Sequence, residues 1–196
     1  MYTVKYIRSS QDSSRVRIGV FDGDDTRCYT VSAALYASLG IVRGSVLDET
    51  AMTDIGYEDE RYRALKRALS ILSYADNTEG NLIMKLVRAG YSREVASECA
   101  EECLRLGYID EVRQIERAVL TEANRSLRGK EYIVRKLAAK GYKSSTVRDV
   151  IDGLVAEGEI DFAKNFERLC EKTGAETDEE RRALAYKRGY RGDDLF

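Results

Sequence analysis

Among the side chains able to do chemistry in this chain charged groups dominate, and its 196 residues include no histidine. That absence removes Ser-His-Asp and Cys-His catalysis, histidine general bases and histidine-ligated metals. What remains most prominent is a run of bases. Between Arg125 and Arg148 lie Arg125, Arg128, Lys130, Arg135, Lys136, Lys140, Lys143 and Arg148, with Glu131 as the one acid among them. The residues before the run are more acidic, with Asp110, Glu111, Glu116 and Glu122 against Arg113 and Arg117. A charge run often does no more than solvate a helix face. It also suits attraction to phosphates or to an acidic protein surface. The candidate binding residues are therefore Arg128, Lys130, Arg135, Lys136, Lys140 and Lys143, with Lys85, Arg88 and Arg93 as a second choice. Lys136 and Lys140 stand one helical turn apart, and Arg135 is offset by about 100° from Lys136, so a wide basic band is expected.

Enzymatic motifs are absent. Gly129-Lys130 is followed by Glu131 and lacks the upstream glycine of a phosphate-binding loop, and neither Gly-x-Gly-x-x-Gly nor Gly-x-Ser-x-Gly occurs. Asp22, Asp24 and Asp25 cluster, but around Gly23, where Asp and Gly are ordinary turn chemistry. Cys28, Cys99, Cys103 and Cys170 form no CxxC pair. Cys99 and Cys103 fall on an apolar stripe and are expected in a core. No catalytic residue, metal site or cofactor is expected.

Composition agrees with a globular chain. Lys and Arg number 32 against 34 Asp and Glu, and 43% of residues are apolar. No apolar segment is long enough to span a membrane, and Met1-Tyr2-Thr3-Val4-Lys5 does not begin a secretory signal. A cytoplasmic protein is expected. The chain contains no proline, so nothing breaks a helix by ring sterics.

The elements that must position these residues come in two textures. Tyr2, Val4 and Tyr6 alternate with Thr3 and Lys5, and Val16, Ile18 and Val20 alternate with Arg15, Arg17 and Gly19. This period of two predicts half-buried strands. Asp22-Gly23 predicts a tight hairpin, Arg27–Val31 a returning strand, and Ser32 the cap of a short helix ended by Gly40. From about Tyr57 the period is helical. Val95, Ala96, Cys99, Ala100 and Cys103 form one stripe, Val147, Val150, Ile151, Leu154 and Val155 another, and Phe162, Phe166, Leu169 and Cys170 a third. Thr177-x-x-Glu180 has the form of a capping box.

The helical part repeats. A shift of 51 residues carries Lys85-Leu86 onto Lys136-Leu137, Gly90-Tyr91 onto Gly141-Tyr142, Gly107 onto Gly158, and Ile109-Asp110 onto Ile160-Asp161. A third Gly-Tyr stands at Gly189-Tyr190. The expected architecture is mainly α. Tandem three-helix, helix-turn-helix-like repeats in an elongated arrangement follow a small N-terminal β-hairpin or β-sheet element. The expected divisions are a β-rich element over 1–55, repeats over 56–107 and 108–158, and a truncated third over 159–196.

These residues resemble the RecX family, regulators of the bacterial RecA recombinase. Ala68-Leu69-Ser70-Ile71-Leu72-Ser73, leading through Thr78-Glu79 to Lys85-Leu86 and Gly90-Tyr91, is similar to one family segment. Leu106-Gly107-Tyr108-Ile109-Asp110 is similar to another, and Arg128-Gly129-Lys130 to Gly141-Tyr142 repeats the theme. The hairpin with Phe21-Asp22-Gly23, followed by Leu39-Gly40-Ile41 and Gly44, is similar to the β extension of longer members. Departures exist. Asn77 stands where the family usually has Arg, and Arg113-Gln114-Ile115 replaces a Phe-Ala pair that Phe162-Ala163 keeps in the second copy. The resemblance implies a non-enzymatic monomer that binds the RecA filament on single-stranded DNA, with weak direct DNA contact in some members. It implies inhibition of ATP hydrolysis and strand exchange, in recombinational DNA repair and the SOS response. The competing expectation is a helix-turn-helix-like regulator that reads duplex DNA directly.

Overall fold

Alternating side chains in the first quarter of the chain build a four-stranded antiparallel sheet from β1 (Tyr2–Ser9), β2 (Arg15–Phe21), β3 (Thr26–Ser32) and β4 (Val46–Leu47), in the order β3-β2-β1-β4. The computed structural model describes residues 1–192, so the last four residues of the expected third repeat, 193–196, lie outside the described residues. The β2–β3 hairpin turns as expected. Asp22 Oδ1 accepts the backbone N–H of Asp24 and of Asp25, each at 3.0 Å, and Gly23 supplies a φ of 119°. Those two hydrogen bonds hold the Asp22 carboxyl below its ordinary pKa.

One expectation about the sheet is corrected. β1 carries a bulge between Val4 and Tyr6, so Val4 pairs with Val20 but Tyr6 pairs with Gly19 and Ile7 with Ile18. The extra residue shifts the alternation by one. Ile7, not Tyr6, joins Val4, Ile18, Val20 and Val31 in the core, and Tyr6 is turned to the opposite face.

Helices follow. α1 (Ala33–Ser38) is capped by Ser32, whose hydroxyl accepts from Leu35 N at 3.1 Å. α2 (Glu49–Leu72) begins before Tyr57, because Asp48 caps it by accepting from Ala51 N at 2.7 Å. This long helix also serves the sheet. β3 is an edge strand whose outward N–H groups need acceptors. Glu58 of α2 accepts from Ser32 N at 2.6 Å and Asp59 from Thr30 N at 2.8 Å. α3 (Glu79–Arg88) and α4 (Arg93–Arg105) complete a helical core in which Ala64, Leu82, Leu86, Val95, Cys99 and Cys103 have no exposed surface.

α5 (Glu111–Leu120) continues into one π-helical turn (Thr121–Arg125) and is followed by α6 (Lys130–Ala139), α7 (Ser144–Ala156), α8 (Phe162–Thr173) and α9 (Asp178–Arg188). α3 and α6, α4 and α7, and α5 and α8 begin 51 residues apart, the period found in the sequence. By contacts the chain divides into two compact units: Met1–Ala75 with Glu79–Tyr108, and Asp76–Thr78 with the chain from Ile109 onward. The second unit's core holds Ile115, Ile133, Leu137, Ile151, Phe166 and Leu169.

Glycines 90, 107, 141, 158 and 189 end helices with φ between 74° and 97°. At Gly141 φ is 97° with open space where a Cβ would go, so a substitution there reports backbone strain alone. Gly141→Ala should lower stability by about 1 kcal/mol or more. A chemical-denaturation midpoint unchanged from wild type would contradict this.

Candidate functional site

The basic run lies on α6, on the turn that precedes it and on the start of α7, and the fold divides its members by exposure, with Arg128, Lys130 and Lys136 half-buried. Three bases are engaged by the protein itself. The Arg128 guanidinium lies 4.3 Å from the Tyr132 ring centroid, with its Nε buried. Lys130 forms an ion pair with Asp152 of α7. Lys136 Nζ donates to Glu122 Oε1 at 2.7 Å, from α6 to the π turn. Arg148 is likewise committed, donating to Glu131 Oε1 at 2.9 Å. The remaining three, Arg135, Lys140 and Lys143, are exposed. Arg135 Nε reaches no farther than the Glu131 carbonyl, 3.3 Å away on its own helix.

Local sequence explains the division. The π turn adds a residue to the helical repeat and presents Glu122 to Lys136. Leu127, buried and with φ 51°, follows it in a conformation that costs a non-glycine residue energy. Polar contacts fix the turn from the other side. Asn165 of α8 donates to Asn124 Oδ1 at 2.8 Å, and Asn124 donates to the Glu159 carbonyl at 2.9 Å. Glu122, Asp152 and Tyr132 are thus functional partners of the band that the spacing of bases did not reveal.

Two outcomes follow from this pairing. Lys136→Glu would set a carboxylate against Glu122, whose side chain is only 15% exposed. It should cost about 1–2 kcal/mol, and adding Glu122→Lys should restore most of the loss. Equal thermal transitions for all three proteins would contradict the pairing. The second concerns pH. The hydrogen bond from Arg148, aided by the charges of Arg148, Arg191 and Arg135, holds the Glu131 carboxyl below its ordinary value. A depressed carboxylate contributes stability that is present above the unfolded pKa and lost as pH falls through the folded one. Glu131→Gln should therefore flatten the acid side of the stability profile. An acid limb identical to wild type would contradict it.

The second-choice residues belong to the other unit. Arg88 and Arg93 line a groove of about 250 Å³ with Gly80, Ile83, Met84 and Val87, and Lys85 is exposed on α3. Met84 and Val87 are 50% and 41% exposed there, so this groove combines bases with apolar surface. Among the described residues, no group of three or more acidic or sulfur ligands is placed to hold a metal ion, and no helix is long and apolar enough to cross a membrane.

No family model matches the chain. Curated relatives do. The chain is 24% identical over 165 residues to the regulatory protein RecX of Bacillus subtilis (strain 168), covering 84% of this chain and 62% of that protein. It is 25% identical over 149 residues to the regulatory protein RecX of Limosilactobacillus reuteri (strain DSM 20016), covering 76% of this chain and 55% of that one. The chain thus spans about three fifths of the length of the curated relatives it matches. Among solved structures, a crystal structure of regulatory protein RecX superposes with a TM-score of 0.71 at 21% identity, covering 99% of this chain and 97% of that one. The structure of RecX from Lactobacillus salivarius superposes with a TM-score of 0.58 at 20% identity, covering 70% of this chain and 92% of that one. These relatives and solved structures carry one name: the chain is similar in sequence to curated regulatory proteins RecX and shares the fold of the RecX crystal structures.

Proposed function

We propose that this chain is a non-enzymatic cytoplasmic regulator that binds the RecA filament on single-stranded DNA and lowers its ATP hydrolysis and strand exchange. The observation that carries this reading is the agreement of two independent likenesses, one in sequence over most of the chain and one in fold over nearly all of it, on RecX. The surface chemistry supports it. Arg135, Lys140 and Lys143 offer exposed positive charge on one unit, and Arg88 and Arg93 flank an apolar groove on the other. Two separate contact sets on one chain gain from effective concentration when they meet a partner built of repeating subunits. The exposed bases suit an acidic or phosphate-bearing surface, and the groove suits a protein one.

The test is ATP hydrolysis by RecA on single-stranded DNA, titrated with the full chain. The rate should fall to a plateau at substoichiometric or equal ratios, and the chain alone should hydrolyse nothing. An unchanged rate, together with a sequence-specific footprint on duplex DNA, would overturn the filament reading in favour of a duplex reader.

A further inference from the structure

The bulge in β1 has a chemical consequence on the outer face of the sheet. It keeps Val4 in the core while placing both Lys5 and Tyr6 outside, beside Arg17 and Phe21 of β2. Tyr6, Gly19 and Cys28 lie in one row across β1, β2 and β3. Gly19 has no side chain, and the Tyr6 ring occupies the space that a Cβ there would fill. The ring therefore lies across the backbone of β2, toward Cys28 on the next strand. The Cys28 side chain, followed by burial, holds the phenol above its ordinary pKa. The second ring, Phe21, is half-buried at the end of β2.

Cations stand over both rings. The Arg8 guanidinium lies 4.9 Å from the Tyr6 centroid and Lys5 Nζ lies 4.7 Å from that of Phe21. Arg17, exposed, stands opposite Arg8 in the register, adds a third base at that end of the face and donates to Cys28 Sγ at 3.7 Å. No Asp or Glu belongs to this face of β1–β3. Asp22, in the adjoining turn, is occupied by two turn N–H groups and by Arg27 at 3.6 Å, and Glu58 and Asp59 of α2 are bonded to the edge of β3. Aromatic rings laid along a sheet and interleaved with exposed bases are the chemistry of a stacking platform for unpaired bases with phosphates at its margin. A duplex has its bases already stacked and cannot use the rings.

We propose that the outer face of β1–β3 binds a single-stranded polynucleotide, with Tyr6 and Phe21 stacking on bases and Lys5, Arg8 and Arg17 meeting phosphates. Arg8 and Lys5 are long and exposed, so they swing from ring to phosphate without disturbing the strands. This goes beyond the filament reading and does not depend on it, because RecA takes no part in the contact.

The experiment is fluorescence anisotropy of a labelled oligothymidylate of about 20 nucleotides with the full chain and no RecA, over a range of low salt. An oligouridylate and a duplex of equal length are compared, separating deoxyribose from ribose and single from double strands. Wild type should bind both single strands more tightly than the duplex. Tyr6→Leu should weaken single-strand binding by about tenfold. Gly19→Ala, which lifts the ring without removing it, should weaken it in the same direction. Lys5→Gln with Arg17→Gln touches only exposed side chains. It keeps the test decisive should the other variants misfold, and should reduce the log-log salt slope by about 0.7 per lost phosphate contact. No single-strand binding by wild type, or unchanged affinity and slope in the double Gln variant, would overturn the proposal.

Discussion

Gly129→Ala should detach the end of α9 from the start of α6 and lower the stability of the second unit by about 3 kcal/mol, the sum of an overpacked contact and lost hydrogen bonds. Gly129 is the residue before α6 and caps it without a side chain. The cap comes instead from the far end of α9. Gly129 N donates to the Arg188 carbonyl at 3.0 Å, and Glu131 N donates to the Gly189 carbonyl at 3.1 Å. A Cβ at Gly129 would fall inside the backbone of Gly189, where nothing flexible can yield. Once that contact opens, Tyr190 loses its place. Its ring is buried against Phe162 and Phe166, at centroid distances of 6.2 and 5.0 Å. Thermal unfolding with tyrosine fluorescence reads both effects at once. A wild-type transition and unchanged fluorescence would show that the α9 end does not dock on Gly129.

Reversing Arg135, Lys140 and Lys143 together to Glu should weaken binding to RecA filaments by about 100-fold at low salt, while the melting transition stays near wild type. The reason for this choice of three is structural. Lys130 and Lys136 are half-buried against Asp152 and Glu122, so replacing them would confound binding with stability; Arg135, Lys140 and Lys143 are the exposed members of the band. Exposed charges contribute little to stability. They contribute steeply to association with a polyanion or an acidic protein surface. The triple variant should also show a shallower salt dependence, since each neutralised phosphate accounts for about one unit of log-log slope. Unchanged affinity and slope would mean that these bases only solvate α6 and α7, and would move the contact to Arg88 and Arg93.

The parts of the fold that follow from periodicity were legible in the sequence. The strand alternation of β2, the Asp22-Gly23 turn, the Ser32 cap and the Thr177–Glu180 capping box all formed as the residue types predict. Cys99 and Cys103 took their places in a core. What escaped were features that carry no periodic mark. A bulge adds one residue without changing residue types, so Tyr2, Val4 and Tyr6 looked like one face until Ile7 proved to be the inward residue. Asp48 is a good helix cap, but the charged and polar residues that follow it on α2 hide the apolar stripe until later. The π turn and the left-handed Leu127 depend on tertiary packing, and neither needs a glycine or proline to announce it.

The basic band shows the same limit in electrostatic form. A window from Arg125 to Arg148 contains one acid, yet Glu122 lies just before it and Asp152 just after it. Both fold back onto bases inside the window. Charge counted along the chain was accurate as arithmetic and misleading as a surface. Only the three-dimensional structure separates the half-buried bases paired around α6 from the exposed ones.

The central claim is that this chain engages RecA filaments, and the most direct measurement is co-sedimentation of the full chain with RecA assembled on single-stranded DNA, at rising salt. The account predicts that the chain pellets with the filament in saturable amounts and leaves the pellet as salt rises. The Arg135, Lys140 and Lys143 reversal should stay in the supernatant at salt concentrations where wild type is bound. A chain that remains in the supernatant at every salt concentration, while the filaments themselves pellet, would contradict it.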